Sequence, residues 1–258
     1  MKLLRKCLLG LGVLVLAAAV LLWFLPARWA LPWIEPQLRG LRLQQVQGSV
    51  WDGRAAEVEA TDGQPLGQLQ WQLSRRALLG QVQLELQFAG PQLAFSGGVR
   101  RLADARVGID DVDAQVQLAS LDAYLASPLG QPRGELQLTI VHAVLQGGWP
   151  LQLRAHAQWP AAVMHTRHGD VVLGALQAGV QAQDGVVRAQ LRDDGQGPLQ
   201  VDGELQLTPL GWRLDATLHA RQTDPALRRW LAGVGTPAAD GSVHVRRRGG
   251  LAPPSPTH

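Results

Sequence analysis

From Leu41 onward, apolar and polar residues alternate with a period of two. The clearest run is Gln81 to Phe88, QVQLELQF, in which Val82, Leu84, Leu86 and Phe88 share one side and Gln81, Gln83, Glu85 and Gln87 the other. Gln68 to Leu73, Glu135 to Ile140, Leu151 to Trp159, Gly185 to Arg192, Leu199 to Leu207 and Trp212 to Ala220 repeat the pattern. Alternation of this kind marks strands with one buried and one wetted face. Asp62-Gly63, Asp184-Gly185 and Asp202-Gly203 punctuate the runs as turn or bulge signals. The spacing leaves no room for crossover helices, so the pattern predicts an antiparallel meander of about a dozen strands. Three segments read as helical. Ser74 to Leu79 and Ser120 to Leu125 predict one or two turns each. In Asp224 to Val234, Asp224 caps, Pro225 suits the first turn, Leu227, Trp230 and Leu231 share a face, and Gly233 and Gly235 end the helix.

The one long departure from period two is Cys7 to Leu25, CLLGLGVLVLAAAVLLWFL, an apolar run without a charge. As a helix it spans about 28 Å, close to a bilayer's ~30 Å hydrocarbon core. Lys2, Arg5 and Lys6 precede it and only Arg28 closely follows it, which predicts a cytoplasmic N-terminus. Trp23, Trp29 and Trp33 cluster at the far end, where indole rings favour the lipid–water boundary. A signal peptide cut near Ala17-Ala18-Ala19 is the alternative. Val20 to Leu25 prolongs the apolar run past that cut, which favours a retained anchor from Cys7 to Leu25.

The whole therefore reads as an all-β protein with one N-terminal transmembrane helix. It is a long twisted antiparallel β-meander, curved into an open groove or a partly closed sandwich, with one or two short helices. Residues 1–6 form a cytoplasmic basic flank and 7–25 a single-pass anchor in a bacterial inner membrane. Residues 26–40 make a Pro/Trp connector, 41–248 a periplasmic β-rich domain, and 249–258 a disordered tail.

Composition and charge narrow the chemistry. The chain has 258 residues and a formal net charge of +3. The three basic residues before Cys7 account for that excess, so the remainder is neutral and lacks the basic face that nucleic-acid binding requires. Cys7 is the one cysteine, so no disulfide forms within the exported part. His165 and His168 lack a third ligand at a suitable spacing and read as part of a solvated loop. Asp110, Asp111 and Asp113 read as a turn, because a calcium loop needs more oxygen ligands and a late Glu. Arg246, Arg247 and Arg248 read as a strand end on a solvated face. No nucleophile elbow or phosphate loop occurs. No catalytic set, cofactor or metal is expected.

The order of features is more specific than any one of them. A basic N-terminus and apolar run lead into LPARWALPWI (Leu25 to Ile34), then VQGSVWDGRAAEV (Val46 to Val58) and PLGQLQWQL (Pro65 to Leu73). TPLGWRLDATLHA (Thr208 to Ala220) precedes DPALRRWLAGVGTPAADGSVHVRRRG near the end. This set resembles the protein N family of the bacterial type II secretion system, the general secretion pathway protein N. Gly48, Trp51, Gly53 and Trp71 carry the tightest match; packing of the first sheet is the reading adopted for them. The resemblance implies a non-enzymatic accessory component in the export of folded proteins. Its partners would be other inner-membrane components of that system and the membrane itself. A weaker similarity to AsmA-like proteins implies the alternative, a β-groove that binds or bridges lipid.

Overall fold

The computed structural model describes residues 25–29, 40–60, 63–125 and 127–250. The expected span Cys7 to Leu25, apart from Leu25 itself, and the expected interfacial Trp23 and Trp33 lie outside these residues. Among the described residues no helix is long and apolar enough to cross a membrane. The chain divides into two compact units, Met1–Pro91 and Gln92–His258.

The first unit is a four-stranded antiparallel meander: β1 (Arg42–Gly48), β2 (Asp52–Glu59), β3 (Pro65–Leu73) and β4 (Gln83–Ala89). Leu84, Leu86 and Phe88 of β4 are half-buried, while Gln83, Glu85 and Gln87 are exposed, as the alternation predicts. The Ser74-to-Leu79 segment is a 3₁₀ turn, Arg75–Leu79. The Ser74 hydroxyl accepts from the Arg76 N–H, and Gly80 closes the turn at φ 85°.

The second unit holds ten strands. They are β5 (Leu93–Arg101), β6 (Arg106–Gln117), β7 (Gln131–Arg133), β8 (Glu135–Gln146), β9 (Trp149–Thr166), β10 (Gly169–Gln183), β11 (Val186–Asp193), β12 (Leu199–Thr208), β13 (Gly211–Ala220) and β14 (Val243–Gly250). Each pairs antiparallel with its neighbour in the order β5-β6-β8-β9-β10-β11-β12-β13-β14, and β7 pairs β9. Asp184 and Gly185 sit at φ 51° and 78° between Gln183 and Val186. Two successive positive φ values make this a type I′ hairpin turn, as the Asp-Gly signal predicts. Asp202-Gly203 instead lies inside β12, opposite Thr217 and Ala216. That glycine answers a close approach: a Cβ there would stand 2.7 Å from the Ala216 Cβ. β14 runs to Gly250, two residues into the stretch that reads as tail.

A short 3₁₀ turn, Leu118–Leu121, leads into α1 (Asp122–Leu125). The main helix is α2 (Pro225–Val234). Asp224 accepts from the Ala226 N–H at 2.8 Å, and Pro225 occupies the first turn. The helix stops where the Gly235 N–H donates to the Leu231 carbonyl; Gly235 is extended, at φ −173°, and is not a left-handed cap. A Cβ there would meet the Val243 side chain at 2.9 Å, so close packing against β14 selects glycine. Leu227 and Leu231 plug into Ala162, Val171, Leu173, Leu199, Ala216, Val243 and Val245, the core of the unit. Trp230 packs at its margin and donates its indole N–H to the Leu129 carbonyl at 2.9 Å. Leu227 is fully buried. Leu227→Ala is therefore expected to cost about 3 kcal/mol, the range for a leucine cavity. The measurement is the urea midpoint, with Leu79→Ala, which removes an 83% exposed side chain, as the near-neutral comparison.

Candidate interaction surface

The family-motif residues come together in the first unit. Gly48 ends β1 at φ 89°, and a Cβ there would stand 2.5 Å from the Asp52 carbonyl oxygen. The Ser49 hydroxyl accepts from the N–H groups of Trp51 and Asp52 at 3.2 and 3.1 Å and fixes the turn. Trp51 is buried within it. Gly53 leaves the space that the Trp71 ring occupies; a Cβ there would approach the ring to 2.4 Å. Trp71 in turn donates its indole N–H to the Val50 carbonyl at 3.2 Å. Gly48, Trp51, Gly53 and Trp71 thus form one packed knot joining β1, β2 and β3. The Val50 N–H also donates to the Leu25 carbonyl at 2.9 Å, so the described N-terminal piece is tied to the same turn. Trp29, one of the expected interfacial tryptophans, is 56% exposed.

Among the described residues the titratable clusters do not converge on a catalytic set. His165 lies at the end of β9 and meets Asp170 of β10 at 2.6 Å. Thr166 donates its hydroxyl to the Gly169 carbonyl and not to an imidazole. His165, Thr166, Arg167, His168 and Arg229 line a cleft of about 580 Å³ together with Val171 and Trp230. Its basic side chains can attract an anion, and among the described residues neither of its hydroxyls, Ser127 and Thr166, is hydrogen-bonded to a basic side chain. Asp110, Asp111 and Asp113 lie in strand β6, which corrects the turn expected for them. Asp110 faces Arg100 at 3.0 Å and His142 at 2.6 Å, and Asp113 accepts from Thr139. Asp111, at φ 50°, is the extra residue of a bulge against β5. Among the described residues no group of three or more His, Cys, Asp or Glu could hold a metal. Arg246 reaches Asp215 at 3.0 Å, exposed on β14, and the three arginines put charge along a strand edge.

Strand register reveals a feature that periodicity alone cannot. Val112 stands opposite Ile140, Ile140 opposite Ala155, and Ala155 opposite Val180. Val180 stands opposite Ala189, Ala189 opposite Leu205, and Leu205 opposite Leu214. One apolar row therefore crosses β6, β8, β9, β10, β11, β12 and β13. A parallel row holds Ala114, Leu138, Ala157, Ala178 and Leu191. The large members Val112, Leu138, Ile140, Val180, Leu191, Leu205 and Leu214 are only half-buried. Of these, Leu214 packs against the core that α2 forms with β10, β13 and β14; among the described residues the others lie outside that core. In the first unit, Val46, Ala55, Leu69 and Phe88 make a similar row.

The described residues thus form antiparallel sheets with one wetted polar face and one half-covered apolar face. The sequence comparisons give the chain's family. A profile described as Type II secretion system (T2SS), protein N matches residues 39–246. The chain belongs to that family. It is 31% identical over 194 residues to Type II secretion system protein N of Vibrio cholerae serotype O1, covering 71% of this chain and 73% of the relative. It is 26% identical over 260 residues to Type II secretion system protein N of Pectobacterium carotovorum subsp. carotovorum, covering 97% and 100%. No solved structure matches.

Two predictions follow from these contacts. Gly53→Ala drives a methyl into the Trp71 ring and is expected to cost about 2 kcal/mol, as overpacking does. The check is the denaturation midpoint together with the fluorescence of the buried indoles. The second concerns Asp193, whose side chain is 6% exposed and meets Arg221 at 2.6 Å. Burial pushes its carboxyl up, but the Arg221 guanidinium and the N–H groups of Val201 and Gly195 outweigh burial and hold it below the usual range. A lowered folded-state value stabilises the fold above the unfolded value, near 3.9, and the gain is lost as pH falls through the folded value. Asp193→Asn is therefore expected to lower Tm at pH 7, with the gap to wild type closing steadily below about pH 4.

Proposed function

We propose that this chain is a non-enzymatic, inner-membrane-anchored accessory component of the type II secretion system, with its β-sheet units in the periplasm. The observation that carries the reading is the family match across residues 39–246, which spans both sheet units. The charge-free run Cys7 to Leu25 behind Lys2, Arg5 and Lys6 supports a single span with the N-terminus in the cytoplasm. The apolar rows support a docking role, because half-exposed leucines aligned across successive strands offer a partner area to cover. Other inner-membrane components of the secretion machine are the partners this reading assigns.

The same rows favour a second reading, in which they hold a lipid acyl chain. Photocrosslinking residues at Leu84 and Leu138 in cells separate the two. Adducts with secretion components at both positions, and impaired export of folded exoproteins after gene deletion, are the expected result. Lipid adducts alone would move the assignment to the second reading. Unimpaired export with no secretion component recovered on pull-down would refute the first.

A further inference from the structure

One end of the first unit gathers features that the packing of its sheet does not use. Gly48 pairs with Gly53, Asp52 with Gln72 and Leu73 with Leu84, so connections 49–51 and 74–82 lie at the same end of the four strands. The Leu73 N–H donates to the Trp51 carbonyl at 2.7 Å and joins the two connections directly. Leu25 is held there by Val50, and Pro26 bridges to Ser49. The apolar run of the sequence therefore ends at this edge of the sheet.

The 3₁₀ turn at that end presents Leu78 at 51% and Leu79 at 83% exposure, the latter the most exposed large apolar side chain among the described residues. Arg75 and Arg76 stand exposed immediately before them. Arg28 and Trp29 are exposed on the N-terminal piece tied to the same end. The turn is rigidly built: Ser74 caps it, Gly80 closes it, and the Ser74 N–H donates to the Gln83 carbonyl at 2.8 Å. Two leucines held out in water beside arginines and a tryptophan have the composition that suits a lipid–water boundary.

We infer that this end of the first unit rests on the bilayer surface. Leu78 and Leu79 dip into the acyl boundary, and Arg28, Arg75 and Arg76 meet the anionic headgroups, making a second point of membrane contact some fifty residues after the anchor. The inference rests on the proposed anchor, because Leu25 brings the bilayer to this end of the sheet. A span plus a rigid contact fixes the angle at which the strands leave the membrane, where a span alone leaves a swivel.

The test uses the full chain with Cys7→Ser, since Cys7 is the one native cysteine. A spin label is placed at Leu79→Cys or, on the wetted face of β4, at Gln87→Cys. The protein is reconstituted into bilayers of phosphatidylethanolamine and phosphatidylglycerol, and each label's accessibility to oxygen and to a water-soluble nickel complex is compared. The expected result is a severalfold higher oxygen-to-nickel ratio at 79 than at 87, falling when Arg75→Gln and Arg76→Gln are added. Protein that floats with the vesicles but carries equally water-exposed labels would overturn this contact and leave the anchor standing. Failure to float would remove both.

Discussion

A sheet generates apolar surface faster than the described residues of this chain cover it. Strand pairing lines up every second residue, so a row one residue deep grows by about 4.8 Å with each added strand. Seven strands from β6 to β13 make a row of roughly 29 Å, while a ten-residue helix is only about 15 Å long. α2 covers what it can, seating Leu227 and Leu231 over β10, β13 and β14. Leu214 packs at the margin of that core, while Val112, Ile140, Val180 and Leu205 stay half-buried outside it. The alternation of bulky and small residues along that row, with Ala155 and Ala189 between the larger side chains, leaves a surface with relief. Such a surface suits an occupant better than another flat sheet.

The two units solve different problems. In the second, the helix and its seven core residues supply a compact buried region, and Arg221 with Asp193 ties β11 to the end of β13 beside it. The first has no helix of comparable length among its described residues. Its strands are locked at one end by the Gly48-to-Gly53 turn and the Trp71 indole. A knot of this kind fixes register where burial is thin, because Trp71 fits beside Gly53 in only one pairing of β2 and β3.

Much of this was legible from residue order. The Gln81-to-Phe88 run, the Asp224 cap of α2, the Ser74 turn and the Asp184-Gly185 hairpin all follow local chemistry, and the fold obeys it; Gly235 ends the helix by close packing against Val243 instead. The middle of the chain was harder for a physical reason. Bulges at Asp111 in β6 and Val141 in β8 reset the alternation, so apolar residues change parity within one strand. Asp110, Asp111 and Asp113 looked like a turn because three acids crowd the bulge, where Arg100, His142 and Thr139 partner two of them from neighbouring strands. The apolar rows were illegible for another reason: they exist only across strands, and register is set by turns and bulges spread over a hundred residues. The cleft beside His165 likewise needs Arg229 of α2, sixty residues away in sequence.

The central claim is that the half-covered apolar face is the working surface. Hydroxyl-radical footprinting of Leu138, Leu191 and Leu205 tests it most directly, in the purified full chain and in membranes carrying the assembled secretion machine. The account predicts that these leucines oxidise readily in the purified protein and become protected in the assembly, while exposed groups on the wetted face, such as His156 and Arg188, do not change. Leucines equally reactive in both settings, with protection appearing on the polar face instead, would contradict it.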